Sequence, residues 1–200
     1  PEEIISLMRD NPQICKYIDI PIQHISEKML KLMKRSYGRR EAEELLYRLR
    51  EQLPGAAFRT TLISGHPGET DSDHRELADF VRQFRFDRLG VFRYSHEEGT
   101  YSGDRYSDDI PEKLKEERVS ELMAIQQSIS LDKNYGLAGR TMKVLIDRKE
   151  SEYYAGRTEF DSPEIDQEVL VPVHYNLKPG NFYDIRITQA AEFDLFGDPA

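Results

Sequence analysis

The sequence predicts a parallel α/β sheet covered by helices, followed by a small antiparallel barrel of the OB-like kind. Two observations carry this. Up to about residue 138 strand-like and helix-like stretches alternate, the order that builds a parallel sheet. From Gly139 onward apolar residues recur at every second position and turns come close together. A third observation bounds the chemistry: the chain holds a single cysteine, Cys15.

The elements follow in order. Residues 2–9 read as a short helix with Ile4, Ile5 and Met8 on one side, ended by Asn11-Pro12. Residues 16–23 (KYIDIPIQ) read as a strand in which Pro21 predicts a bulge or an early end. Ser26 can cap a helix through Met33. A second helix spans about 40–53, with Ala42, Leu45, Leu46, Leu49 and Leu53 at helical spacing before Pro54-Gly55. Residues 58–64 form a strand, Gly65-His66-Pro67-Gly68 a turn. Thr70, with Asp73 three residues on, opens a capped helix. Residues 88–94 are the next strand. Three strands are too few for a closed barrel or a complete doubly wound sheet, so the sheet is partial or continues upstream of Pro1. Residues 95–110 read as a polar loop. A long helix from Pro111 to about Asn134 carries Leu114, Val119, Leu122, Ile125 and Ile129 as its stripe, and its charges read as a solvated face. Met142, Val144 and Ile146, then Val169, Val171 and Val173, then Tyr183, Ile185 and Ile187 alternate, with 158–167 as a loop.

The 200 residues carry 28 Lys+Arg against 37 Asp+Glu, a formal charge of −9. Residues 138–200 hold seven basic and twelve acidic residues, five of the carboxylates within 159–168. This balance argues against broad electrostatic binding to nucleic acid, which needs a basic surface. One cysteine closes no internal disulfide and supplies no thiolate cluster site by itself. Apolar runs are too short for a membrane span or a signal-peptide core, so a cytoplasmic location is expected. The five histidines lack metal-ligand spacing, and no metal bound by this chain alone is expected. Cys15, just before the first strand, is expected to be a small core residue. A start at Pro1 fits a piece of a longer protein as well as a processed terminus.

Three polar groups stand at the three strand ends: Gln23-His24, Gly65-His66-Pro67-Gly68-Glu69 and Tyr94-Ser95-His96. The C-terminal end of parallel strands is where α/β folds bind ligands, and glycines let a backbone approach a ligand closely. A tight connecting turn explains the glycine segment equally well, and loop hydrogen bonding explains Gln23 and His24 equally well. The glycine segment is no phosphate loop, because it lacks the Lys-Ser/Thr ending.

Taken together, Tyr17–Ser26 (YIDIPIQHIS), Leu30–Arg35 (LKLMKR), Arg59–Thr70 (RTTLISGHPGET), Val91–Thr100 (VFRYSHEEGT), Ile110–Arg118 (IPEKLKEER) and Gln126–Ser130 resemble consecutive blocks of the radical S-adenosylmethionine methylthiotransferases. The stretch from Gly139-Arg140-Thr141 onward resembles that family's C-terminal TRAM barrel. The resemblance implies the second half of a partial (β/α) radical-SAM barrel over 1–110, a connecting helix over 111–137 and a TRAM barrel over 138–200. Two types within the family compete, one acting on an adenosine of tRNA and one on an aspartate of a small-subunit ribosomal protein. His24 after Gln23, the segment Gly156-Arg157-Thr158 with Asp161-Ser162-Pro163-Glu164-Ile165-Asp166, and the ending Asp194-Leu195-Phe196-Gly197 resemble the second type. An acidic barrel also suits a basic protein better than tRNA phosphates. A non-catalytic binding module remains a further alternative.

The resemblance implies S-adenosylmethionine and two 4Fe–4S clusters as cofactors. The β-carbon of the target aspartate would lose a hydrogen to a 5′-deoxyadenosyl radical and gain a methylthio group. All six cysteines of the family's cluster motifs are missing here and are expected upstream of Pro1, so this chain alone is expected to hold no cluster and perform no catalysis. The resemblance assigns cofactor contacts to Gln23, His24, Arg59, Ile63, Gly65, Pro67, Gly68, Glu69, Phe92 and Tyr94. It assigns partner contacts to Glu97, Glu98, Asp161, Glu164 and Asp166. No membrane contact and no oligomer is implied.

Overall fold

A computed structural model describes residues 2–200 and divides them into two compact units. One comprises the residues through Ile5 together with Ile18–Gln126, the other Ser6–Tyr17 together with Gln127–Ala200. The division thus falls inside the long helix rather than at its ends.

In the first unit the chain runs α1 (Glu2–Asp10), β1 (Tyr17–Asp19), α2 (Glu27–Leu32), α3 (Arg39–Gln52), β2 (Ala57–Ser64), α4 (Asp71–Phe84), β3 (Arg88–Arg93) and α5 (Glu112–Tyr135), the first and last helices being shared with the second unit. The sheet order is β1-β2-β3, and β2 and β3 are parallel, with Arg59 opposite Arg88 and Ser64 opposite Arg93. The early end predicted at Pro21 is present: β1 stops at Asp19, and regular pairing resumes as a parallel bridge from Gln23 to Leu62. Period 2 sorts β2 cleanly. Phe58, Thr60 and Leu62 are buried, while Arg59, Thr61 and Ile63 share the opposite, half-exposed face. Phe80, Phe84 and Phe86 form a ring cluster with Phe58, the Phe84–Phe86 centroids lying 4.5 Å apart.

Several expectations change on contact with tertiary structure. In α1 only Ile5 is buried, and Ile4 is 63% exposed. Successive residues sit about 100° apart on a helix, so Ile4 and Ile5 do not share a side. Ser26 occupies the cap position of α2, but its hydroxyl donates to Asp73 Oδ1 at 2.6 Å instead of capping. The capping box of α4 forms as predicted, Thr70 accepting from the Asp73 N–H while Asp73 returns the bond to the Thr70 N–H. The charges of α5 are not all solvated: Lys115 is fully buried and Arg118 nearly so, because each meets carboxylates of the first unit. Cys15 is exposed, because it stands in the turn before β1 and not in the sheet.

The second unit contains a closed barrel of β4 (Thr141–Lys149), β5 (Tyr153–Arg157), β6 (Glu168–Pro172), β7 (Phe182–Ala190) and β8 (Asp194–Pro199), in the order β4-β5-β6-β8-β7. Val144, Ile146, Tyr154, Val169, Val171, Ile185, Ile187 and Leu195 fill it. The barrel is mixed and not wholly antiparallel: β6 and β8 run parallel, Glu168 opposite Asp194. An odd number of strands cannot alternate direction all the way round a closed ring, so a parallel neighbour is unavoidable with five. Val173 leaves the alternating pattern and starts a single turn of 3-10 helix, Val173–Tyr175.

Candidate functional site

A cleft of about 490 Å³ opens over the C-terminal ends of the parallel strands of the first unit. Its volume falls within the range of small-molecule sites. Gln23 lies at the end of the β1 line, with φ at 65°. Its backbone N–H donates to the Thr61 carbonyl and its carbonyl accepts from the Ile63 N–H, so the sheet itself holds this left-handed residue at the rim. Thr61 and Ile63 form the floor, on the face that alternation assigns them. Phe92, Arg93 and Tyr94 enter from the end of β3, and Phe92 is 59% exposed. Met33 and Arg35 come from the end of α2, and Glu97, Thr100 and Ser102 from the segment after β3.

The glycine turn lies beneath this cleft and is closed on itself. Gly65 and Gly68 both have φ at 81°. A Cβ at Gly65 would overlap the side chain of Lys115. The Gly65 N–H donates to Glu69 Oε2 at 2.6 Å, and the Gly68 N–H donates to Asp109 Oδ1 at 3.3 Å. Glu69 is buried, with Arg118 Nη1 at 3.2 Å from Oε1 and the Ser64 hydroxyl at 3.4 Å. Burial pushes the Glu69 carboxyl upward, while the Gly65 N–H and Arg118 pull against it. The turn amides are therefore bound by the protein's own carboxylates.

Behind the cleft is a buried polar cluster. His24 is fully buried and does not line the cleft. Its Nδ1 accepts the N–H groups of Ile25 at 2.9 Å and Ser26 at 3.0 Å. Burial lowers its pKa to about 3, so the ring is neutral, and its buried Nε2 has no protein partner. Burial would raise the Asp73 carboxyl, but hydrogen bonds from Lys28, Ser26 and Thr70 hold it well below the usual carboxylate range.

Of the residues assigned to cofactor contacts, Gln23, Ile63, Phe92 and Tyr94 line the cleft. Arg59 shares the face of Thr61 and Ile63, and its guanidinium is paired with Asp19 at 2.8 Å. Gly65, Pro67 and Glu69 are buried, and Gly68 is exposed. Among the partner residues Glu97 lines the cleft and Glu98 is exposed. In the second unit Asp161 is buried and accepts the Thr158 hydroxyl at 2.5 Å. Asp166 accepts the Ser162 N–H at 2.9 Å and the Tyr17 hydroxyl at 2.6 Å. Both carboxylates hold the loop, whereas Glu164 is exposed beside Ile165, which is 60% exposed. Sequence reasoning did not assign Met33, Arg35, Thr61, Thr100 or Ser102 to the cleft, whereas His66 belonged to the strand-end segment it singled out. The alternation that places Arg59 and Ile63 already implies Thr61. The loop hydroxyls carry no periodic signal at all.

The cleft suits a small polar ligand with an aromatic portion. An iron–sulfur cluster finds no support in these residues: the chain has one cysteine, and among the described residues no group of three His, Cys, Asp or Glu is placed to hold a metal. Also among the described residues, no helix is long and apolar enough to cross a membrane.

Comparison with known proteins agrees with this architecture. Residues 1–81 match the family model described as Radical SAM superfamily, and residues 138–199 match TRAM domain. A solved structure of coproporphyrinogen III oxidase (HemN) from Escherichia coli, a radical SAM enzyme, superposes with a TM-score of 0.53 at 20% identity. It covers 65% of this chain and 30% of that one, a likeness of fold. The parallel sheet thus belongs to a segment similar to the Radical SAM superfamily, and the closed barrel to a segment similar to the TRAM domain.

The curated relatives narrow the class. The ribosomal protein uS12 methylthiotransferase RimO of Bacteroides fragilis is 52% identical over 99% of this chain and 46% of its own length. Those of Porphyromonas gingivalis and Cytophaga hutchinsonii are 50% and 51% identical, over 46% and 45% of their lengths. The chain spans about half the length of the curated relatives it matches. Over nearly all of its length it is similar to the C-terminal half of these RimO-type radical SAM methylthiotransferases.

Proposed function

We propose that this chain supplies the cofactor-cleft portion and the partner-binding barrel of an enzyme that methylthiolates the β-carbon of an aspartate in ribosomal protein uS12. The observation that carries the reading is that cleft unit and barrel together match RimO relatives at about half identity, almost from end to end. The acidic TRAM barrel favours the basic protein over tRNA on electrostatic grounds.

S-adenosylmethionine, when bound, supplies both a hydrogen-abstracting deoxyadenosyl fragment and the methyl group. This chain's residues bind and orient it. Gln23 offers polar contacts at the strand ends, Ile63 an apolar floor, and Phe92 an exposed ring against which a heteroaromatic base can pack. Arg59 presents a guanidinium suited to a carboxylate, once Asp19 releases it. Three thiolates for a cluster must come from outside these 200 residues, and the chain alone is inactive.

The test uses a polypeptide extended to the length of the curated relatives, reconstituted anaerobically with iron and sulfide. With S-adenosylmethionine and a reductant it should add one methylthio group to a uS12 peptide, read by mass spectrometry, and leave tRNA unmodified. Modification of tRNA instead would move the chain to the tRNA-modifying type. Arg59→Leu in that polypeptide should weaken S-adenosylmethionine binding, and unchanged affinity would remove Arg59 from the cofactor site.

A further inference from the structure

We propose that His66 is a positioning residue: it holds the 95–110 segment as a wall of the cleft, so that this segment meets the substrate in one arrangement. The proposal rests on the function above for the identity of that substrate.

The His66 ring is 2% exposed and held between two tyrosines. Tyr94, at the end of β3, packs edge-on with centroids 4.9 Å apart, and Tyr106, in the segment, does so at 5.9 Å. His66 Nδ1 lies 3.0 Å from the Pro67 carbonyl oxygen. A carbonyl only accepts, so Nδ1 carries the hydrogen. Burial holds the His66 pKa below its ordinary value, which keeps the ring neutral and leaves Nε2 an acceptor. Nε2 receives the Ser102 hydroxyl at 2.9 Å. The two partners thus select one tautomer, which joins the glycine turn to the loop.

Two further ties connect the same pieces. The Gly68 N–H reaches Asp109, and buried Lys115, whose stem passes where a Gly65 Cβ would be, donates to Asp108 at 2.6 Å. Both lie at the far end of the segment. Its middle is folded on itself, the Thr100 hydroxyl donating to the Glu97 carbonyl and accepting the Gly103 N–H. Those bonds shape the loop without attaching it to the sheet. The His66–Ser102 bond is the attachment made inside the cleft, since both residues line it alongside Glu97 and Thr100. A phenylalanine could fill the space between Tyr94 and Tyr106, but it could not accept from Ser102.

Hydrogen–deuterium exchange on this chain tests the attachment. Asp104, Arg105 and Tyr106 donate their amides to carbonyls within the loop and report its order. H66F and S102A should each speed their exchange about fivefold, the loss of one hydrogen bond. The double variant should be no faster than either single one, because both remove the same bond. H66Q, whose amide oxygen can accept from Ser102, should restore protection, and α4 should be unaffected throughout. Unchanged exchange in both single variants, or additive effects in the double variant, would overturn the proposal. In the extended, reconstituted polypeptide, H66F should raise the KM for a uS12 peptide about fivefold and lower kcat by less, with H66Q restoring KM. A fall in kcat alone would remove the substrate-positioning role. If the unaltered polypeptide fails to modify uS12, the function assigned above falls, while the exchange result still decides the attachment.

Discussion

The buried carboxylate of Glu69 accepts the backbone N–H of Gly65 at 2.6 Å, four residues back along the same turn. This bond gives the strand-end turn its shape, and Arg118 from α5 supports it from the other oxygen at 3.2 Å. Removing the carboxylate leaves a guanidinium that is 5% exposed with Asp71 and the backbone carbonyl of residue 69 as partners, beside an unsatisfied amide. Breaking a buried pair from one side is costly. Glu69→Ala should lower stability by about 3 kcal/mol, measured by urea unfolding, and Glu69→Gln by less, because its oxygen can still accept from Gly65.

Gly65 and Gly55 both have φ at 81°, yet they stand in different surroundings. Nothing lies within 4 Å of a Cβ at Gly55, whereas at Gly65 it would collide with Lys115. Gly55→Ala should cost only the backbone penalty, about 1 kcal/mol. Gly65→Ala should cost clearly more, since the Lys115 stem is packed and its ammonium is tied to Asp108 and Glu112. Equal shifts in denaturation midpoint would show that Lys115 yields freely.

His24 gives the first unit a pH dependence with a defined sign. Its folded pKa, about 3, lies below the ordinary 6.5, so between those values the unfolded chain binds more protons. Stability therefore rises with pH across this window and is lost as pH falls from about 6.5 toward 3. His24→Asn keeps an acceptor near the Ile25 and Ser26 amides but cannot titrate. Its melting temperature should change less between pH 7 and pH 5 than that of the unaltered chain.

The carboxylates of the 158–167 loop should separate into two kinds. Asp161 is buried against Thr158, so Asp161→Ala should lower barrel stability by about 1–2 kcal/mol. Glu164 is exposed, so Glu164→Lys should leave stability nearly unchanged while weakening binding of basic uS12. Calorimetry or fluorescence titration at two salt concentrations would check this, with the difference between variants shrinking at high salt.

The amino-acid sequence by itself determined the order of elements, the change of period near residue 138 and the break at Pro21, because each depends on local spacing and backbone chemistry. The Thr70–Asp73 capping box was equally legible, since all its groups lie within four residues. Gln23 could be assigned to a strand end from chain order, whereas Ile63 and Phe92 were reached through the family resemblance. Only the tertiary structure decided which polar groups face the cleft. His24 follows Gln23 directly, yet it is buried behind the cleft because the backbone turns through a positive φ at Gln23. Lys115 and Arg118 looked like members of a solvated helix face, and they are buried because carboxylates 3 to 49 residues away neutralise them. Ser102 reaches His66 across 36 residues of chain. Such pairings depend on how distant segments close together, and no local periodicity encodes them.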